Sequence, residues 1–345
     1  MKRMVCGMLV TLLLLVCTLS AHADKRVELF DDAFYAQFEL RKDTFVSAYD
    51  FTHINDTIYV ALSNAHVYAW DAAKGSYRKV SELPKLPAYN AELPFKELSD
   101  ALKVQLQASV FTLIPGDGEL LGLNHLFGKI GKIASNGIAW RSTRLDTSIL
   151  TRKGQSYPAS LLYPFIYRAT LYGFYDMQWA ENGENPCEGI LLAFDLNTGA
   201  YEQAALNGAF TFCRYGDDSL LLMRDNGSAT PVLSTYSLRT KTMEDLPLAL
   251  PIKLDRVCFG DFYRLLSEIG GLAYNPANRQ IAFVCRCKLW SSIDGQPFTQ
   301  ALDLSDVISY TLPNAQGWFM PDGRYCLQTN GLVYVLPALQ EVQCP

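Results

Sequence analysis

The side chains best suited to chemistry are few in this sequence. Beyond the N-terminal segment the histidines are His53, His66 and His125, and no two are spaced to share a metal ion. Neither H-E-x-x-H nor G-x-S-x-G occurs. His53 falls in a turn, His66 at a strand start and His125 after Asn124 in a turn, so each reads as a surface or hydrogen-bonding residue. A Ser/His/Asp triad needs no proximity in sequence, but no pattern points to one. Glycoside hydrolysis requires two carboxylates flanking a bond, and acidic residues are plentiful, as at Asp31-Asp32, Asp217-Asp218, Glu268 and Asp303 with Asp306. Most sit in turns, where Asp bonds its own backbone, and the solvated-turn reading is favoured. The run Asp303 to Asp306 lacks the ligand density of a calcium loop. No cofactor is expected, and calcium has no supporting ligand set.

Aromatic residues carry the stronger signal. Tyr172, Tyr175, Trp179, Trp290, Tyr310 and Trp318 occur in or beside expected loops. Flat rings edged with polar groups hold sugars and peptides. The stretch Tyr172 to Trp179 is the leading candidate, running from a strand into the polar loop Glu181 to Pro186. Tyr172, Tyr175, Trp179, Trp290 and Trp318 are therefore the candidate ligand-binding residues, with packing between sheets as the alternative role for each.

Seven cysteines follow the N-terminal segment: Cys187, Cys213, Cys258, Cys285, Cys287, Cys326 and Cys344. In an oxidising compartment some should pair. The candidate pairs are Cys187 with Cys213, Cys258 with Cys285 or Cys287, and Cys326 with Cys344. An odd count leaves one thiol over. Cys285-Arg286-Cys287 is C-x-C rather than the redox C-x-x-C, and residues i and i+2 of a strand share a face, so structural roles are expected there.

The compartment follows from the first residues. Lys2 and Arg3, the apolar run Met8 to Leu19 and Ala21-His22-Ala23 have the form of a signal peptide spanning residues 1–23. The run is short for a span of about 20 residues, which weighs against an uncleaved anchor. Val16 is bulkier than the residue expected before a lipidated Cys17. Residues 24–345 are then one exported domain, with no further run apolar enough to cross a bilayer. The net charge of −5 and the lack of a basic stripe argue against nucleic acid and anionic membrane surfaces.

The elements that must position these residues are strands. Gly189 to Leu196 reads as a strand, Asp195-Leu196-Asn197-Thr198-Gly199 as a tight turn, and Ala200-Tyr201 as the start of the next strand. Asp71 to Tyr77 repeats the pattern. Turn glycines at Gly75, Gly128, Gly199, Gly295 and Gly331, with Thr240-Lys241 in place of one, mark about six units spaced at roughly 40 to 70 residues, which brackets a four-stranded propeller blade. The fold class is all-β: a β-propeller of six blades, with seven as the neighbouring count and a β-sandwich as the structural alternative. Val27 to Phe30 is expected to complete the last blade, and Phe34 to Leu40 reads as a further strand. Pro94 to Gln107 places Phe95, Leu98, Leu102 and Leu106 at helical spacing, one short inserted helix packed on the ring.

Two turns carry a resemblance. The Asp-x-x-Thr-Gly turn of Gly189 to Tyr201 and Phe319-Met320-Pro321-Asp322-Gly323-Arg324-Tyr325 resemble blades of quinoprotein- and TolB-type propellers. Leu98 to Leu106, Asp117-Gly118, Leu121 to Asn124 and Gly128-Lys129 are similar to propeller regions in secreted bacterial proteins that accompany sugar-import binding proteins. The resemblance implies a secreted propeller. It carries over no catalytic residue and no quinone or calcium pocket. The expected function is a ligand-binding or protein-interaction module for a small glycan or peptide, or for an envelope protein. The alternative is a glycan-active hydrolase or lyase on the same ring, which would require a pair of carboxylates at the channel.

Overall fold

The computed structural model describes residues 26–40, 48–63, 66–84, 87, 97–116, 118–143, 145, 161–178, 188–206, 208–226, 228, 230–252, 269–308, 315–329 and 331–339. It is a six-bladed β-propeller. Each blade is a four-stranded antiparallel sheet. The first comprises β2 (Ala48–Ile54), β3 (Thr57–Leu62), β4 (His66–Asp71) and β5 (Ser76–Glu82), and the second β6 (Thr112–Pro115), β7 (Leu120–Asn124), β8 (Lys129–Ala134) and β9 (Gly137–Ser142). The third comprises β10 (Leu162–Tyr167), β11 (Thr170–Gln178), β12 (Glu188–Asp195) and β13 (Tyr201–Ala205), and the fourth β14 (Ala209–Arg214), β15 (Ser219–Arg224), β16 (Val232–Ser237) and β17 (Met243–Asp245). The fifth comprises β18 (Ile269–Asn275), β19 (Gln280–Cys285), β20 (Lys288–Ile293) and β21 (Thr299–Asp303), and the sixth β22 (Gln316–Phe319), β23 (Arg324–Thr329), β24 (Leu332–Ala338) and the N-terminal β1 (Val27–Leu29). The innermost strands are β2 (Ala48–Ile54), β6 (Thr112–Pro115), β10 (Leu162–Tyr167), β14 (Ala209–Arg214), β18 (Ile269–Asn275) and β22 (Gln316–Phe319). The N-terminal strand β1 (Val27–Leu29) pairs antiparallel with β24 (Leu332–Ala338), Leu29 opposite Val333, and supplies the outer strand of the last blade. This is the closing role expected of it. A sheet closed in this way joins the two ends of the chain within one blade.

Both faces of a blade are buried against its neighbours, so inner strands read as unbroken apolar runs rather than alternating ones. In β15 (Ser219–Arg224), Leu220 and Leu222 pack toward the third blade, while Leu221 and Met223 pack toward the fifth. Six apolar clusters result, each shared by adjacent blades. At the closing seam Trp318, Cys326, Val333 and Val335 of the last blade meet Phe51, Ile58 and Val60 of the first.

The repeated turn has one geometry. Asp195 Oδ1 accepts the N–H groups of Asn197 (2.8 Å) and Thr198 (2.7 Å), and the Gly199 N–H bonds Asp195 O at 2.9 Å. Asp71 does the same for Lys74 and Gly75. Gly199 and Gly75 sit at φ +80° and +60°, where a Cβ is unfavourable. Lys241 takes that left-handed position, φ +58°, in the unit without a glycine.

Two helices accompany the strands, one of them in place of an expected strand. Residues 34 to 40 are not a strand: α1 (Asp32–Gln37) begins at Asp31, whose carboxylate accepts the N–H groups of Ala33 and Phe34. Phe34 and Tyr35 then bury against Phe30, Tyr68 and Tyr77. The inserted helix α2 (Asp100–Ala108) starts later than its apolar spacing implied, because Ser99 caps it by accepting the Leu102 N–H. Leu98 and Leu106 pack on Leu126 as expected, while Val104 stays 66% exposed.

Candidate functional site

The six innermost strands converge on one cavity of about 220 Å³ along the ring axis. Every blade contributes: Asp50 to His53 from β2, Leu113 and Pro115 from β6, Tyr163 to Phe165 from β10, Thr211 to Arg214 from β14, Leu272 to Tyr274 from β18 and Gln316 to Phe319 from β22. A liquid water occupies about 30 Å³, so the space holds about seven, the room of a single large side chain or one sugar ring. Seven aromatic residues contribute to the wall: Phe51, Tyr163, Phe165, Phe212, Tyr274, Trp318 and Phe319.

Asp50 is the one carboxylate among the described residues that line this cavity. Its Oδ2 accepts the backbone N–H of Leu113 from the next blade. Burial raises its pKa from 3.8 to about 7, against the lowering effect of the Leu113 and Phe51 N–H groups. No arginine, lysine or histidine forms an ion pair with it among the described residues. His53, three residues on, stacks face to face on Trp318 with centroids 4.7 Å apart and planes at 5°. Burial lowers its pKa to about 4, which leaves the ring neutral near pH 7. The Trp318 indole N–H is buried and meets no acceptor among the described residues. Opposite this stack, Arg214 lies over the rings of Phe165 (4.9 Å) and Tyr167 (5.3 Å) and donates to Asp217 O at 2.6 Å. Tyr163 holds φ +52° and packs edge-on against Phe212; burial pushes its hydroxyl up to about 12.

Of the residues chosen from sequence, Trp318 lies on the cavity wall. Tyr172 is on β11 (Thr170–Gln178), the second strand of its blade, and stacks on Phe165 at 5.1 Å. Trp290 is on β20 (Lys288–Ile293), a third strand, and packs against the seam between the fourth and fifth blades. Neither belongs to the cavity wall. The side chain of Tyr175 and all of Trp179 and Tyr310 lie outside the described residues. So do Cys187, Cys258 and Cys344, one member of each proposed pair. Cys213, Cys285, Cys287 and Cys326 are not joined to one another. Cys213 lines the cavity with its thiol pushed well up by burial.

The acidic residues singled out earlier serve local structure. Asp31 caps α1, Asp303 Oδ1 accepts the Ser305 N–H at 2.9 Å, and Asp306 forms a two-pronged pair with Arg26 at 2.7 and 2.9 Å. Asp218 accepts from Ser219 in a hairpin turn. Glu268 lies outside the described residues. His66 contacts the Tyr68 hydroxyl, and His125 is buried edge-on against Phe111. Among the described residues no three metal-ligating side chains converge.

Sequence reasoning did not single out Asp50, Tyr163 or Arg214. The signal that could have found them is position: each lies on the first strand of its repeat, the strand that faces the axis in a propeller.

No family model matches the chain, and no curated protein matches it. Solved structures similar to it include YCF48 bound to a D1 peptide, at 13% identity over 84% of this chain and 78% of that one, with a TM-score of 0.46. The WD40 repeats of RRP9 are similar at 10% identity over 91% and 97%, TM-score 0.47. BamB from Moraxella catarrhalis is similar at 11% identity over 84% and 85%, TM-score 0.39. At these identities and scores the likeness is loose and assigns no role to the channel. No helix among the described residues is long and apolar enough to cross a membrane.

Proposed function

We propose that this protein is an exported binding module that holds a glycan or peptide group in its central channel. The observation that carries the reading is the cavity itself, where six blades bring aromatic side chains and, among the described residues, a single carboxylate around a space of about 220 Å³. An aromatic wall with a few placed polar groups is the make-up of a small-ligand site. The hydrolase alternative requires two carboxylates about 5 to 10 Å apart, and the described wall offers Asp50 alone. Export rests on the signal-like residues 1–23, and an envelope protein remains the alternative partner.

Thermal-shift screening of the full chain against oligosaccharides and short peptides tests the reading. A ligand at a hundred times its Kd stabilises by about 2.7 kcal/mol. True channel ligands lose that shift in His53→Ala, which removes the ring stacked on Trp318 while sparing the buried core. Hits that survive both this change and Tyr163→Phe would place the binding elsewhere and overturn the proposal.

A further inference from the structure

The binding group can be named more closely, on the premise that the channel is a ligand site. We propose that the channel takes a cationic head on a short apolar stem, the side chain of arginine or lysine in a peptide, with Asp50 as its counter-ion and the Trp318 wall beside it. Three observations converge. Asp50 is half-buried at the cavity wall, and among the described residues no cation lies within ion-pair distance of it. A carboxylate held partly out of water without such a partner favours neutralisation by a proton or by an arriving cation. The surrounding faces are aromatic, and aromatic faces attract ammonium and guanidinium groups. The cationic residue already in the cavity, Arg214, is spoken for by Phe165, Tyr167 and the Asp217 carbonyl on the fourth blade, across a six-membered ring from the first.

Binding of this kind is linked to pH through Asp50. The other titratable groups at the cavity are His53, Tyr163, Cys213 and Tyr274, besides the permanently charged Arg214. His53 titrates at about 4, Tyr163 at about 12, and burial raises both the Cys213 thiol and the Tyr274 hydroxyl. Among the described groups of the wall, Asp50 alone, at about 7, changes charge between pH 6 and 8. A cation must displace its proton, so affinity grows as the ionised fraction grows, about tenfold from pH 6 to pH 8.

Calorimetric titration of the full chain with N-acetyl-arginine amide and N-acetyl-lysine amide is the test, with N-acetyl-citrulline amide as the neutral match in shape. The expected result is binding of the cationic amides, about tenfold tighter at pH 8 than at pH 6, and weakened thirtyfold or more in Asp50→Asn. Citrulline amide should bind no better to the native protein than to the variant. Equal binding of citrulline and arginine amides, or an Asp50→Asn protein that binds as well as the native one, overturns the proposal. If N-acetylglucosamine binds in a His53-dependent way and neither cation does, the cation inference fails while the channel remains a ligand site. If no probe binds, both readings fall. Circular dichroism and melting of Asp50→Asn confirm that the variant is folded before it is titrated.

Discussion

Replacing Asp50 by Asn should raise the stability of the unliganded protein at pH 8 and leave it unchanged at pH 4. The carboxyl titrates at about 7 in the folded chain, against 3.8 when unperturbed. Between these values the folded state holds a proton that the unfolded state has released. Its contribution is therefore fully present below about pH 4 and is lost as pH rises to about 7, where it levels off. A shift of about three units corresponds to about 4 kcal/mol at the upper limit. Asp50 keeps some surface at the open channel, and solvent there screens the penalty, so about 2 to 4 kcal/mol is expected. Asn retains an oxygen to accept the Leu113 N–H and carries no charge. For a chain of this length 1 kcal/mol moves Tm by about 1.5 °C, which gives about 3 to 6 °C at pH 8. Paired calorimetric melts of native and Asp50→Asn protein from pH 4 to pH 8.5 provide the assay. The two curves should separate progressively with rising pH. Parallel curves, or a variant less stable at pH 8, would refute the claim that this carboxylate is buried without a counter-charge.

Three further outcomes are expected from the packing. Asn124 is buried and donates to Leu106 O (2.7 Å) and Ser109 O (2.9 Å) while accepting the Phe127 N–H; Asn124→Ala leaves the end of α2 unanchored and should cost about 2 to 4 kcal/mol in urea unfolding, with faster amide exchange confined at first to residues 100–108. An added Cβ at Gly317 would overlap both Gly271 O and the Tyr325 hydroxyl that donates to it, so Gly317→Ala should cost about 3 kcal/mol or more. Gly295, whose Cβ would meet open space, should lose only about 1 kcal/mol on the same change, through its φ of +78°, and equal losses at the two sites would contradict the close seam between the last two blades. Leu29 is fully buried in the closing seam, and Leu29→Ala should lower stability by about 2 to 5 kcal/mol and make residues 332–338 exchange faster, since β1 covers their outer edge.

What could be read from the sequence was local. The Asp-x-x-x-Gly turns declare themselves because one carboxylate bonds the next two or three N–H groups and one residue must take a left-handed conformation, which requires no distant partner. Counting those turns yielded the blades, and apolar runs such as Leu220 to Met223 follow from burial on both faces. Leu98, Leu102 and Leu106 likewise disclosed a helix by spacing alone. The first helix was misread as a strand because Phe34, Tyr35 and Phe38 suit either form, and the deciding facts are the Asp31 cap and the Tyr68 and Tyr77 rings, which arrive from the first blade. The channel was beyond sequence reasoning for a related reason. Its wall is drawn from residues 50 to 319, one short segment per blade, and whether a tyrosine faces the axis depends on which strand of the sheet carries it. Tyr163 is on an inner strand and Tyr172 on its neighbour, nine positions away in a run of similar residues. Nothing in the sequence marks Asp50 among the other acidic residues. Only closure of the ring, which sets it against the second blade's Leu113 with no described cation at ion-pair distance, turns it into a chemically distinctive group.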